Sequence, residues 1–464
     1  MAQGLRPLKR RRVFILAVLA GLLIALLAVG YLAARRSPLF ALAAAAAPVM
    51  LIVVIQIVDR IDMWVMAILA SAAFVRLTLP TGTSSDIVAS MVIAGAAVAL
   101  WFARMMILER RIHLKPMPTN VPLFGFIVTA VISLVWGTAF RDPLVVAWSS
   151  FPFVQLASLV VMILLPGVFL LVGNAIRDVN KFRVMAILVL LAGAIGLVGD
   201  FYPLPYRINV WGLFPMWAAV IPYAWALFDR KLGLVPRLLL LAFAAGWVWY
   251  GYPRRVTWLA AWVPTFAALA IVSVMRSKWL IIIVVIVLAV VGWKYIETRY
   301  QGEVSESGRT RLAAWAQNWE VTSKHWLLGT GPAGYAAYYM SYFPTSAMAT
   351  HSNYIDILSQ TGVVGLGFCL WFLGALLWMG YRLCRRLEGQ GGFTEAVANA
   401  AFAGAVGCVV AMAIGDWMFP FAYTQTIAGF DYVVYNWLWI GVIPALDWMT
   451  RSHPLGTRQG LTSL

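Results

Sequence analysis

An all-α polytopic membrane protein is the fold class this chain predicts, on three observations. Of its 464 residues, 62% are hydrophobic and only 11% charged, whereas a soluble domain averages about 25% charged residues. Apolar runs of roughly 17 or more residues recur along the whole length, each able to cross a ~30 Å hydrocarbon core as a helix. The runs are continuous rather than alternating, which rejects a membrane barrel. Helices and closed barrels are the only structures that satisfy their own backbone in lipid.

The chain opens on Arg6, Lys9, Arg10, Arg11 and Arg12 and then enters the run 13–33. A signal peptide carries a shorter apolar region, about 7–15 residues, so this run reads as a first transmembrane helix. Further candidate spans lie near 38–58, 63–79, 87–108, 121–138, 153–176, 182–199, 211–228, 232–250, 256–275, 279–295, 353–381, 396–415 and 431–449. The short ones, and those interrupted by Arg76, Arg104, Pro236 or Arg237, leave a total of about 12–14 transmembrane helices.

Net charge +17 can signal nucleic acid, but here the charges fall between the apolar runs, which is a topology pattern. With the N-terminus inside, the segments 109–115, 177–183, 229–231, 276–278 and 382–386, together with both termini and Arg60, hold most of the lysines and arginines. The positive-inside rule then places both termini in the cytoplasm; Arg35 and Arg36 are exceptions. Cys369, Cys384 and Cys408 show neither metal nor disulfide spacing and read as packing residues.

The organisation expected is a single membrane domain in three stretches: N-terminal transmembrane helices over 1–295, one large, partly helical periplasmic loop over 296–350, and C-terminal transmembrane helices over 351–464. Within the loop, Ser305 or Ser307 can cap a helix that carries Leu312, Trp315 and Trp319 on one face. Gly329, Gly331 and Gly334 then break the chain. The aromatic run Tyr335, Tyr338, Tyr339, Tyr342, Phe343 suits the membrane interface or the face of a sugar ring.

His351, one of four histidines, stands where the loop meets the next apolar run. Thr350 or Ser352 can cap the helix beginning near Asn353. The positive end of that helix favours the neutral imidazole, a proton acceptor. Four arginines fall on the same side: Arg254 and Arg255 before the run at 256, and Arg309 and Arg311 in the loop. Arginine holds phosphate bidentately and stays charged, so Arg255 and Arg311 can hold an anionic lipid diphosphate. Asp416, also on that side, can orient an acceptor or pair with an arginine. The sequence has no Walker loop, no paired carboxylates for a metal-bound nucleotide sugar, and no metal-ligand cluster around His351. No cofactor is expected, and the energy of any transfer would reside in the donor.

Three segments together resemble one family. His351-Ser-Asn353-Tyr followed by Gly362-x-x-Gly365 is similar to the histidine signature of O-antigen ligases. Gly308-Arg309-Thr-Arg311-x-x-x-Trp315, followed by Gly329-Thr-Gly331, is similar to the family's Arg-x-x-x-Trp and Gly-x-Gly run. Arg254-Arg255-Val-Thr-Trp258 resembles its Ser-Arg-Gly-x-Trp turn, with Arg254 and Val256 in place of Ser and Gly. The likeness spans roughly 250–370. It implies an inner-membrane enzyme with its site facing the periplasm. Such an enzyme moves O-antigen from undecaprenyl diphosphate to a sugar of lipid A–core, with inversion and without ATP or metal. It also implies His351 as catalytic base, with Arg255 and Arg311 (flanked by Arg254 and Arg309) on the diphosphate. Asn353, Gly362, Gly365, Trp315 and Asp416 would support them. Alternatives are an O-antigen polymerase or protein O-oligosaccharyltransferase of the same superfamily, and a transporter of lipid-linked saccharides. Partners are the donor, the acceptor and membrane lipids, with no nucleic acid.

Overall fold

The computed structural model describes residues 60–452 except 82–84, 203–207, 252–261, 283, 287–288, 291–310, 347–348 and 423. The first two expected spans, and Arg254, Arg255 and Arg309, therefore lie outside the described residues, as do Ser305 and Ser307.

Helix α1 (Ile61–Phe74) leads into a two-stranded hairpin, β1 (Thr78–Pro80) and β2 (Asp86–Val88), paired antiparallel with Leu79 opposite Ile87. Then come α2 (Ala89–Ala103, extended by a π turn Arg104–Glu109), α3 (Asn120–Ala139), α4 (Phe151–Ala175), α5 (Val179–Phe201), α6 (Phe214–Phe228), α7 (Leu234–Gly246) and α8 (Trp262–Arg276). Helix α9 covers 311–322 and α10 covers Gly334–Tyr342. The C-terminal helices are α11 (Asn353–Leu387), α12 (Phe393–Met412), α13 (Phe430–Ile440) and α14 (Val442–Ser452).

Six helices among the described residues are long and apolar enough to cross a membrane: α2 with its π turn, α3, α4, α5, α11 and α12. Together with the near-absence of strand, this makes the chain an all-α polytopic membrane protein. Continuous apolar sequence gives continuous helix here because every backbone group must be satisfied within its own segment. The last expected span, 431–449, is two helices joined at Gly441.

Small residues set the packing. Helix α12 is almost wholly buried and rich in Ala and Gly. A Cβ at Gly404 would fall on the Trp217 ring, and one at Gly407 would lie 2.9 Å from the Pro264 carbonyl oxygen. In lipid, where apolar surface alone does not drive helices together, close backbone approach of this kind supplies the dispersion contacts. Trp217 also stacks on Trp439 (5.7 Å between rings) and donates to Asn436 Oδ1 at 2.7 Å, which ties α6 to α13.

The connections gather at two ends. At one, Ser85 Oγ donates to the Gln425 carbonyl (3.1 Å), Tyr435 Oη to the Asn209 carbonyl (3.0 Å), and Tyr342 Oη to Asp142 Oδ2 (2.8 Å). This end carries His351. At the other, Lys181 pairs with Asp62 (2.8 Å), Arg386 with Asp447 (3.0 Å), and the Arg230 N–H bonds to the Gly391 carbonyl (3.0 Å). That is the basic end.

Gly404→Val should lower the thermal unfolding midpoint of detergent-solubilised protein, by about 1–3 kcal/mol of overpacking. Gly367→Ala, where a Cβ meets nothing within 4 Å, should leave it unchanged. Equal midpoints for the two variants would contradict the α6–α12 packing.

Candidate functional site

Helix α11 is not one helix. At Gly362 the backbone turns to φ 66°, ψ −170°, which separates a nine-residue piece, 353–361, from 363–387. A straight helix would bond the N–H groups of Val363 and Val364 to the carbonyls of Ser359 and Gln360. Both bonds are exchanged for bonds to the segment 326–331. The Val363 and Val364 N–H groups donate to the Trp326 and Leu327 carbonyls (2.8 and 3.4 Å). The freed carbonyls of Ser359 and Gln360 accept from the Thr330 and Gly331 N–H groups (2.9 and 3.0 Å). The break is therefore satisfied at the backbone, as a buried chain requires. Two glycines permit it. Gly362 has a left-handed φ, and a Cβ there would strike the Leu327 carbonyl; Gly329 (φ 70°) abuts the Gln360 backbone in the same way. The expected Gly-x-Gly and Gly-x-x-Gly motifs are thus two sides of one seam. Gly365 lies one turn beyond the break, where a Cβ would meet the Thr361 side chain.

A buried polar layer lines the short piece. Gln360 Nε2 donates to Asp356 Oδ2 (2.6 Å), and Tyr335 Oη donates to Asp356 Oδ1. Gln360 Oε1 accepts from the Ala333 N–H (2.8 Å) and from Ser158 Oγ (3.1 Å). Ser359 Oγ donates to Asn318 Oδ1 (2.7 Å), and Asn318 Nδ2 donates to Tyr339 Oη (2.8 Å). This layer fastens α9 and α10 of the loop to α11. It also corrects two expectations. Tyr335, Tyr338 and Tyr339 are buried, so they are core residues rather than an interfacial or sugar-facing display. On α9 the buried face is Ala314, Asn318, Val321 and Thr322, while Leu312 and Trp319 are exposed.

His351 sits just before this short piece with φ 53°, a left-handed conformation that histidine adopts more readily than most residues. Its ring is half-buried, edge-on to Phe421 at 6.0 Å between centroids. Burial first, and the Arg311 charge second, hold its pKa below the ordinary 6.5. The neutral imidazole expected from the helix end is thus favoured by these two causes. Arg311 begins α9. One turn on, Trp315 Nε1 donates to the carbonyl of Thr350 (2.7 Å), the residue before His351. Two residues of the expected site, Arg311 and His351, are thereby brought together with Trp315 as the tie. Ser352 is the N-cap of α11 but does not cap through its side chain; its Oγ donates to the Met412 carbonyl instead (3.3 Å).

Asn353 is fully buried and clamps the 413–429 turn. Its Oδ1 accepts from the Met418 and Phe419 N–H groups (2.9 and 3.2 Å), and its Nδ2 donates to the Phe419 carbonyl (2.7 Å). Asp416 lies in the same turn. It is buried and accepts from Tyr432 Oη (2.8 Å), and burial raises its pKa. Its partner is thus a tyrosine, and it is placed to shape the turn. A second histidine, His325, closes the 3-10 turn Ser323–His325 and shares a 2.9 Å hydrogen bond with Tyr338 Oη. Tyr342 meets Asp142 on the same α10 face, and the carboxyl of Asp142 is held below its usual range by the Leu144 N–H first and Tyr342 second.

The residues that sequence reading missed are Asp356, Gln360 and Asn318, together with the buried role of Tyr335 and Tyr339. A signal was present: Asn353, Asp356 and Gln360 recur at helical spacing on one face, as do Asn318/Thr322 and Tyr335/Tyr339, which marks a polar stripe buried against protein.

Fold and site together define a polytopic α-helical membrane protein whose loop folds back into the bundle at a broken helix. Residues 238–370 match the family model described as O-Antigen ligase, so this part of the chain is similar to that family. The match covers less than a third of the chain and runs from α7 through the loop to just past the seam. No curated protein matches the chain.

Gly362→Ala should destabilise the seam by at least the ~1–2 kcal/mol of a left-handed non-glycine residue, since the Leu327 carbonyl must also move. Hydrogen exchange of the Thr330, Gly331, Val363 and Val364 amides should then accelerate. Unchanged protection of all four would mean that the break does not exist.

Proposed function

We propose that the chain is an inner-membrane glycosyltransferase of O-antigen ligase type, with its site on the periplasmic face. It joins O-antigen, delivered on undecaprenyl diphosphate, to a sugar hydroxyl of lipid A–core. The observation that carries this reading is the tie from Trp315 Nε1 to the Thr350 carbonyl (2.7 Å), which brings the helix bearing Arg311 beside the half-buried His351. The distribution of basic residues supports the orientation, since the end opposite His351 is the arginine- and lysine-rich one.

In this mechanism Arg311, with Arg255 and the flanking Arg254 and Arg309, holds the diphosphate and offsets its charge as it leaves. His351 accepts the proton of the acceptor hydroxyl. The hydroxyl oxygen bonds to the anomeric carbon, the bond from that carbon to the diphosphate oxygen breaks, and undecaprenyl diphosphate departs with the electron pair. Displacement from the opposite face inverts the anomeric configuration. Neither ATP nor a metal enters the scheme, because the donor's glycosyl diphosphate carries the driving force. Asn353, Asp416 and Trp315 keep His351 facing that donor, while Gly362 and Gly365 allow the seam on which it is mounted. At the same end a cavity of about 800 Å³ reaches from Trp148 and Phe153 to Ala422, the neighbour of the Phe421 ring that meets His351. It is a candidate path for a lipid-borne saccharide.

His351→Asn preserves a left-handed backbone and removes the base, so transfer should fall about 10²- to 10⁴-fold with unchanged thermal stability. Normal O-antigen attachment by this variant would refute the catalytic assignment. The pH profile has a definite sign. The imidazole acts when neutral, and its pKa is depressed, so kcat/KM should fall only on acidification through a value below 6.5. Arg311→Gln should move that acid limb upward. Reconstitution with lipid A–core, a second donor molecule or a pilin-like protein as acceptor separates ligase from polymerase and protein oligosaccharyltransferase.

A further inference from the structure

We propose that the cavity at the basic end, between Lys115, Arg177 and Trp448, binds the phosphate of an anionic membrane lipid. This site lies at the opposite end of the bundle from His351 and has no part in the transfer chemistry.

The cavity, about 520 Å³, is walled by the 113–116 segment, Asn174 and Arg177 after α4, and Trp448, Met449 and Ser452 on the last turns of α14. Three elements contribute. The chain between the α2 π turn and α3 brings His113 and Lys115; the end of α4 brings Asn174 and Arg177; α14 brings the indole. The Asn174 side chain fixes the first of these by accepting from the Lys115 N–H (2.8 Å). The Lys115 ammonium donates one of its three protons to the Gly173 carbonyl (2.8 Å), which leaves two for a ligand.

The charges here are unbalanced. Among the described residues, no carboxylate lies within ion-pair distance of Lys115 or Arg177. The acids nearby in sequence are engaged. Asp447, beside Trp448, is held by both Arg386 and Arg451 (3.0 Å each), and Asp178 Oδ1 accepts from the Asn180 N–H at the start of α5 (2.9 Å). The adjoining residues 453–464 contain no Asp or Glu. Burial and the neighbouring Arg177 charge pull Lys115 down to about 8, the mark of two cations sharing a partly enclosed space. An anion between them removes that repulsion.

Location selects the kind of anion. The cavity opens where α2, α4 and α14 all end, beside a partly exposed tryptophan, which is the chemistry of the headgroup layer. Basic pockets between helices on the positive side of a membrane protein suit phospholipid headgroups. Soluble phosphate offers the same oxygens without the acyl chains that would lie along the exposed apolar faces of the helices.

The test is native mass spectrometry of the full chain in detergent, with added phosphatidylglycerol, phosphatidylcholine or inorganic phosphate. Wild type should retain phosphatidylglycerol in preference to phosphatidylcholine. Arg177→Gln and Lys115→Gln should each weaken that retention about tenfold without a change in melting, and Arg177→Lys should restore most of it. Arg177 is exposed, so its replacement leaves the core intact even if Lys115→Gln perturbs folding. Unaltered retention by Arg177→Gln would overturn the site. Displacement of the lipid by millimolar inorganic phosphate, or equal retention of the two lipids, would overturn the lipid assignment.

Discussion

Everything at the His351 end depends on one exchange of backbone hydrogen bonds. Two bonds that an unbroken α11 would make across Gly362 are given up, and the 326–331 segment replaces both, donor for donor and acceptor for acceptor. A helix interrupted inside a membrane protein is tolerable only if the freed groups find partners in protein. Here the partners come from the 326–331 segment, so the break in the helix and the docking of that segment are a single event. Neither could persist alone.

That coupling explains how a polar loop comes to hold His351 in place. The short piece 353–361 is held on three sides: by the seam at its C-terminal end, by the Asp356–Gln360–Tyr335 and Ser359–Asn318 bonds along its length, and by the Asn353 clamp on the 413–429 turn at its start. His351 lies immediately before the clamp, and Trp315 reaches across to the carbonyl next to it. The Arg311–His351 proximity is therefore supported by the Trp315 tie and by the fixed position of the 353–361 piece. On the proposed mechanism, His351 as base and Arg311 as anion-binding cation require such preorganisation.

How much of this was readable in the sequence follows from the physics of each feature. Apolar runs dictate membrane helices because lipid leaves few options, so α2 through α8 fall close to their expected ranges. The glycines marked a break at 329–334, but the sequence reading ran one span through Gly362, because the pairing of the two glycine motifs across 30 residues depends on tertiary hydrogen bonds that no local pattern encodes. The loop tyrosines were misread for a related reason. Tyr335, Tyr338 and Tyr339 look interfacial by composition, yet they are buried because their hydroxyls find polar partners, Asp356 on α11 and His325 and Asn318 in the loop. On α9 the aromatic face looked inward by hydrophobicity, while the buried face is chosen by Asn318 and Thr322, which must reach Ser359. His351 stood out because titratable groups are scarce in this chain, not because its surroundings were legible.

On the proposed mechanism the seam holds His351 opposite an anion site that includes Arg311. The most direct test of this arrangement is an electron cryo-microscopy map of the chain in lipid nanodiscs with a non-transferable undecaprenyl diphosphate saccharide. The map should show α11 broken at Gly362, the 326–331 segment bonded into the gap, and diphosphate density against Arg311 on the side of the His351 ring. A continuous helix through 353–387, or a diphosphate bound away from both residues, would contradict it.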